Sequence, residues 1–154
     1  MTHPIETRLA ALGISLPAAP PPAANYVPYV VAGNLVHISG QISQDAGGLI
    51  KGRLGETMDV AAGALAARSC AISILAQLKS AVGGDWSRVK RAVKLGGFVN
   101  STADFTDQPK VINGASDLLV EVLGDAGRHA RAAVSAPSLP LGVAVEIDAI
   151  FEIS

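Results

Sequence analysis

A single cysteine, Cys70, stands among the 154 residues, so an intramolecular disulfide and a cysteine-based zinc cluster are both excluded. Its neighbours Ala67, Ala71 and Ile74 fit a helix, and a buried small hydrophobe is the expected reading rather than a reactive thiol. Charge of one sign is lacking as well: 12 basic and 13 acidic residues leave a net charge of -1. Phosphate neutralisation supplies most of a nucleic-acid binder's affinity, so this balance argues against a polyanion partner. The densest basic run (Arg88, Lys90, Arg91 and Lys94) is interleaved with Val89, Ala92, Val93 and Leu95 and reads as a half-solvated strand. Three Phe, two Tyr and one Trp offer few platforms for stacking bases. The three histidines, His3, His37 and His129, share no spacing such as HxxxH, so no metal site is expected. Ser39 lies in Ser-Gly-Gln rather than a GxSxG elbow, and neither GxGxxG nor a Gly-Lys-Ser/Thr phosphate loop occurs. The N-terminus lacks the basic region and continuous apolar core of a secretory signal. The longest uncharged stretch of the main helix runs from Ser69 to Leu78, short of a membrane span. A cytoplasmic location without a membrane partner is the default expectation.

What is present suits a packed core: 49% of residues are hydrophobic and 16% charged. The length fits one domain over residues 1–154, with an N-terminal helix and proline-rich arm occupying 1–25. The helix is expected from about Pro4 to Leu12, stopped by Gly13, and the run Pro17–Ala24 is expected to be extended. Tyr26–Val31 and Leu35–Ser39 read as a hairpin turning at Ala32-Gly33-Asn34, with Gly40 ending the second strand. From Ala46 to Gly55 four glycines and few apolar residues predict a mobile loop.

The strongest helical pattern spans Met58 to Val82, with Thr57 as cap and Asp59 near the positive end of the dipole. Val60, Ala64, Ala67, Ala71, Ile74, Leu78 and Val82 form its apolar stripe. Val89–Asn100 follows as a strand with Val89, Val93, Leu95 and Val99 on one face. A second helix is expected from Asp104 or Thr106 to Leu123, striped by Val111, Ala115, Leu118 and Val122 and stopped by Gly124. Arg131–Ser135 is a short strand candidate, and Val143–Ile153 alternates apolar and polar residues most clearly. Two long helices on one face of a four- to five-stranded sheet make an α+β two-layer sandwich. The opposite face, carrying Ala92, Phe98, Ala144 and Ile150, is too apolar to stay bare and predicts self-association.

Two side chains near the C-terminus stand out chemically. Arg131 sits in His129-Ala130-Arg131-Ala132-Ala133-Val134, and Glu146 lies inside the most hydrophobic strand. Composition alone leaves both open to a plain surface role. Their pairing nevertheless has a use: a guanidinium grips a carboxylate with two parallel hydrogen bonds. A carboxylate on an adjacent strand can then orient or deprotonate water for attack on a C=N carbon.

The segment from Tyr26 through Gly33-Asn34-Leu35-Val36-His37-Ile38-Ser39-Gly40-Gln41 resembles the N-terminal motif of the YjgF/RidA (endoribonuclease L-PSP-like) family. Ala130-Arg131-Ala132-Ala133-Val134, Leu139-Pro140 and Val145-Glu146-Ile147 resemble its C-terminal signature, with Phe98-Val99 and Val111-Ile112-Asn113 matching in between. The resemblance runs from about Asn25 to the end and fits a longer subgroup of about 150 residues. It implies a chorismate-mutase-like fold, a homotrimer with clefts between subunits, and no cofactor. By position it implies that Arg131 binds a substrate carboxylate, that Glu146 positions water, and that Tyr26, Ser39, Gly40 and Asn113 line the cleft. Ala132 and Ala133 replace a Ser-Cys or similar pair and remodel the pocket wall, and His129 stands where proline is common. The implied activity is hydrolysis of enamines and 2-imino acids, such as 2-aminoacrylate, to 2-keto acids and ammonia. The alternative is a non-catalytic trimeric module binding small carboxylates. The older endoribonuclease or translation-inhibitor label lacks a basic groove or a histidine pair to support it.

Overall fold

The computed structural model describes residues 1–19 and 24–154. Pro20 to Ala23, the centre of the expected proline arm, lie outside the described residues. The first helix, α1, spans Pro4–Ala11. Its proline occupies the first turn, where no N–H is needed, and His3 Nδ1 accepts a hydrogen bond from the Ile5 N–H at 3.2 Å. Ile5 and Leu9 are buried, while Trp86 donates its indole N–H to Glu6 Oε1 at 2.6 Å.

Five strands form the main sheet: β1 (Tyr29–Ala32), β2 (Leu35–Ile42), β5 (Val89–Asn100), β6 (Ala130–Ala136) and β7 (Val145–Ile153), ordered β1-β2-β7-β5-β6. Pairing is antiparallel except between β5 and β6, which run parallel because a helix connects them. Helices α2 (Val60–Ala81) and α3 (Gln108–Leu123) cover one face, giving the expected α+β two-layer architecture. On β7, Val145, Ile147, Ala149, Phe151 and Ile153 are buried against that layer, and Glu146, Asp148, Ile150 and Glu152 alternate with them.

Several local expectations change. Helix α2 is capped by Asp59, whose side chain accepts from the Ala62 N–H at 2.9 Å; Thr57 instead accepts from the Arg53 N–H and closes the preceding turn. The buried surface of α2 is wider than one stripe because the sheet lies on one side and α3 on another: Ala66, Cys70, Ser73, Leu75 and Gln77 are buried, while Val60 and Ala64 are half-buried. By length and composition α2 could cross a membrane, yet more than half of its 22 residues are buried inside the fold, as in a core helix. Helix α3 begins later than expected, after Asp107, and β7 begins at Val145 rather than Val143.

The segment expected to be a mobile loop from Ala46 begins instead at the turn of a small hairpin, β3 (Gln44–Asp45) with β4 (Gly48–Leu49), and carries Leu54 fully into the core. Gly40 does not end β2; the strand continues to Ile42 past a pairing irregularity between Ile38 and Gln41. Irregular pairing in β5 between Val89 and Arg91 and between Ala92 and Lys94 breaks its period of two. Ala92 therefore turns into the core and Val93 is only half-buried. Ala144 is also fully buried, so the open face carries Phe98 and Ile150 but neither of the two alanines expected there. Val30, Phe98 and Val134 remain 52%, 37% and 46% exposed.

Candidate functional site

Arg131 projects from β6, an edge strand, in register with the core residue Leu95 of β5, and so faces the helix layer. Its Nη1 donates to Ser116 Oγ at 3.0 Å and its Nη2 to the Pro109 carbonyl at 3.2 Å. Pro109, Asn113 and Ser116 are spaced by four and three residues, one side of α3. Asn113, which is exposed, therefore lies between the two anchors of the guanidinium. Ala133, two residues along β6 on the same face, is half-buried against the core. These three expected site residues form one patch.

Glu146 belongs to the other face. It pairs with Phe98 on β5 and Ile42 on β2, flanked along β7 by the buried Val145 and Ile147. Gly40 leaves it room: a Cβ at that position would come within 3.0 Å of Glu146 Cδ and 3.1 Å of Cγ. Burial, and then the nearby charge of Asp148, raise the Glu146 pKa above the ordinary carboxylate value. The Ser39 hydroxyl donates to the Val27 carbonyl at 2.7 Å and its N–H to the Pro28 carbonyl at 2.9 Å. Those bonds tie the segment carrying Tyr26, itself 61% exposed, to β2. Ser39, Gly40 and Glu146 thus form the second patch, with Tyr26 at its margin.

Within one chain the two patches stay apart. The expected adjacency of the Arg131 and Glu146 strands does not hold, since β5 separates β6 from β7 and the two side chains emerge on opposite faces. A groove of about 530 Å³ on the open face takes in His37, Ser39, Gly40, Lys94, Phe98 and Asp148, but neither Arg131 nor Glu146. Among the described residues, no three His, Cys, Asp or Glu side chains gather as a metal-binding group.

Sequence reasoning missed Ser116 and the role of His129. His129 Nε2 lies 2.9 Å from Ser116 Oγ, and its Nδ1 lies 2.6 Å from the Gly127 carbonyl oxygen. The signal that could have found Ser116 was the helical spacing of Pro109, Asn113 and Ser116, which puts a hydroxyl and an amide on one side of a helix otherwise rich in apolar residues.

A family model described as "YjgF/chorismate mutase-like, putative endoribonuclease" matches residues 6–152. The chain belongs to this family. Among its relatives, Protein TCP17 of Trypanosoma cruzi is 50% identical over 152 residues, covering 97% of this chain and 94% of the relative. The crystal structure of Atu1372 from Agrobacterium tumefaciens, described as of unknown function, is 50% identical, with a TM-score of 0.90 over 97% of this chain and 94% of that one. A "putative endoribonuclease" from Shewanella oneidensis is 37% identical, with a TM-score of 0.91 over 97% of this chain and 99% of that one. A "putative endoribonuclease L-PSP" from Entamoeba histolytica superposes less closely, with a TM-score of 0.60 at 26% identity over 90% of this chain and 96% of that one. The form of about 150 residues is thus shared with the Agrobacterium and Shewanella proteins.

Proposed function

We infer that this family member hydrolyses 2-imino acids to 2-keto acids and ammonia, in clefts between the subunits of a homotrimer. The observation carrying this reading is the way Arg131 is held. Two of its N–H groups are anchored on α3 among the described residues, and a guanidinium has five in a planar fork. A side chain restrained in this way is prepared to grip a carboxylate with its remaining donors.

Glu146 supplies the second requirement. Its raised pKa brings its proton affinity closer to that needed for transfer to and from water near neutral pH. In the reaction a water oxygen bonds to the C=N carbon while Glu146 takes up a proton. Glu146 returns that proton to the imine nitrogen, giving a carbinolamine. The hydroxyl proton then passes to the amine through Glu146 as the C=O bond forms and the C–N bond breaks, releasing ammonia. Net, one imino acid and one water become one keto acid and one ammonia.

Because the two patches occupy opposite sheet faces, a single site using both requires two copies of the chain. The exposed Val30, Phe98 and Val134 on the open face support such association, since apolar surface of this kind is stabilised by burial. The order of three follows from the family resemblance. The relatives' name of endoribonuclease finds little support in a chain with net charge -1 and few aromatics.

The test generates 2-imino acids in situ with an amino-acid oxidase and follows semicarbazone formation with semicarbazide as trap. Wild type is expected to suppress trapping, and Arg131→Ala to lose that effect. If wild type leaves trapping unchanged across several side chains yet binds keto acids, the binding-module reading takes its place.

A further inference from the structure

The group that anchors Arg131 is itself held from behind. The Gly127 carbonyl oxygen can only accept a hydrogen bond, so His129 Nδ1, 2.6 Å away, carries the ring proton. Burial foremost, and the Arg131 charge in addition, lower the His129 pKa and favour a neutral ring. Its Nε2 is then a bare acceptor. Among the described residues, its hydrogen-bond partner is Ser116 Oγ, 2.9 Å away, which must then donate its hydroxyl proton. Having donated there, Ser116 Oγ presents its lone pairs to Arg131 Nη1 at 3.0 Å. Each bond in the series Arg131, Ser116, His129, Gly127 thus has one permitted direction.

The opposite tautomer would set a lone pair of Nδ1 against a carbonyl oxygen and leave Ser116 facing donors on both sides. The far end of the series is rigid as well. A Cβ on Gly127 would overlap the Leu119 carbonyl oxygen and lie 2.6 Å from its carbon, so this turn packs on the α3 backbone itself. Backbone packing therefore fixes Gly127, Gly127 fixes the tautomer, and the tautomer fixes the hydroxyl that holds the arginine.

We propose that Ser116 and His129 are positioning residues that set the orientation of the Arg131 guanidinium for its carboxylate ligand. The proposal rests on the reading of Arg131 as a carboxylate clamp. Neither residue touches the substrate, because Ser116 is occupied by Arg131 and His129, and His129 by Ser116 and Gly127. Loss of either loosens the clamp while leaving Glu146 and the attacking water unaffected.

The test combines kinetics with a readout independent of turnover. Ser116→Ala and His129→Leu are expected to raise KM for a 2-imino acid about tenfold, with kcat within about twofold. His129→Gln, whose amide provides both an acceptor and a donor, is expected to recover most of that loss. In parallel, ¹⁵N NMR of the wild type without substrate should show Nδ1 protonated and Nε2 bare. The Arg131 Nη protons should exchange faster in Ser116→Ala than in wild type. If the wild type neither turns over nor binds keto acids while the NMR signatures hold, the deaminase reading falls and the series stands as an arginine-orienting device. A charged or reversed His129, or Arg131 exchange and KM unmoved by Ser116→Ala in a folded protein, overturns the proposal itself.

Discussion

Gly114 lies where α3 meets α2, and replacing it by alanine probes the helix layer at its tightest point. In an open helix the change would stabilise by about 0.5–1 kcal/mol through backbone entropy. Here a Cβ would overlap the Ala64 carbonyl oxygen and stand 2.7 Å from its carbonyl carbon and 3.0 Å from its Cα. Carbon atoms in comfortable contact are separated by about 3.5–4.0 Å, so the helices must part by about 1 Å. A gap of that order forfeits up to about half of the dispersion energy of the atoms lining it. Val111, Ala115 and Leu118 are fully buried on α3, and they lose contact together. Overpacking of a core costs about 1–3 kcal/mol, and a clash with main chain, which no rotamer change relieves, belongs at the upper end. The expected net destabilisation is about 2–3 kcal/mol, or roughly 5–10 °C in Tm for a chain of this size.

Denaturant and thermal unfolding followed by Trp86 fluorescence would measure it. This is the single tryptophan, 3% exposed and hydrogen-bonded to Glu6. Gly84→Ala serves as control: Gly84 has φ +80°, but a Cβ there would meet nothing within 4 Å, leaving only left-handed backbone strain of about 1–2 kcal/mol. If Gly114→Ala proved as stable as wild type, or no less stable than the control, the close-approach argument would be wrong. Because α3 also carries Asn113 and Ser116, the same substitution should weaken ligand binding.

Leu54→Ala should destabilise by about 2–5 kcal/mol, because the side chain is fully buried and packs against Gly63 of α2; a cost under about 1 kcal/mol would restore the expectation of a mobile loop. Glu146→Gln should abolish the proposed deamination while slightly stabilising the fold at neutral pH. The raised folded-state pKa means that ionisation disfavours the native state. The variant and wild type should therefore be equally stable below the ordinary glutamate range and diverge as pH rises through the folded-state pKa. The difference should be small because Glu146 is partly solvated, and a lower Tm for the variant than for wild type at pH 7 would contradict it. Burial, with the Glu146 charge in addition, pushes the Cys70 thiol far above its ordinary pKa, so a disulfide reagent should label native protein at least a hundredfold more slowly than unfolded protein. Rapid labelling of the native form would place Cys70 at the surface.

Fold class and element order were legible in the sequence because they depend on periodicity. The stripe of Val111, Ala115, Leu118 and Val122 and the alternation in β7 each admit one amphipathic element, and all those α3 residues are fully buried. Asn113 and Ala133 lie beside Arg131, and Gly40 beside Glu146, and family resemblance alone marked these positions, since nothing in their local patterns distinguishes them chemically. What sequence could not decide depends on register and on contacts between distant segments. Local pairing irregularities in β5 turned Ala92 inward, and a single residue of slip exchanges the faces of a strand. Leu54 looked like loop because its burial comes from α2 and from bridges to distant backbone, none of which its neighbours encode.

The separation of Arg131 from Glu146 is of the same kind. Both strands could be read from the sequence, but strand order and facing are tertiary properties, and they put β5 between the two residues on opposite sides of the sheet. Sequence alone therefore marked Arg131 and Glu146 as the candidate side chains, through their place in the family's motifs. Tertiary structure alone determined that they stand in two separate patches on opposite faces of the sheet, since hydrogen-bond partners and faces exist only after segments far apart in the chain have packed.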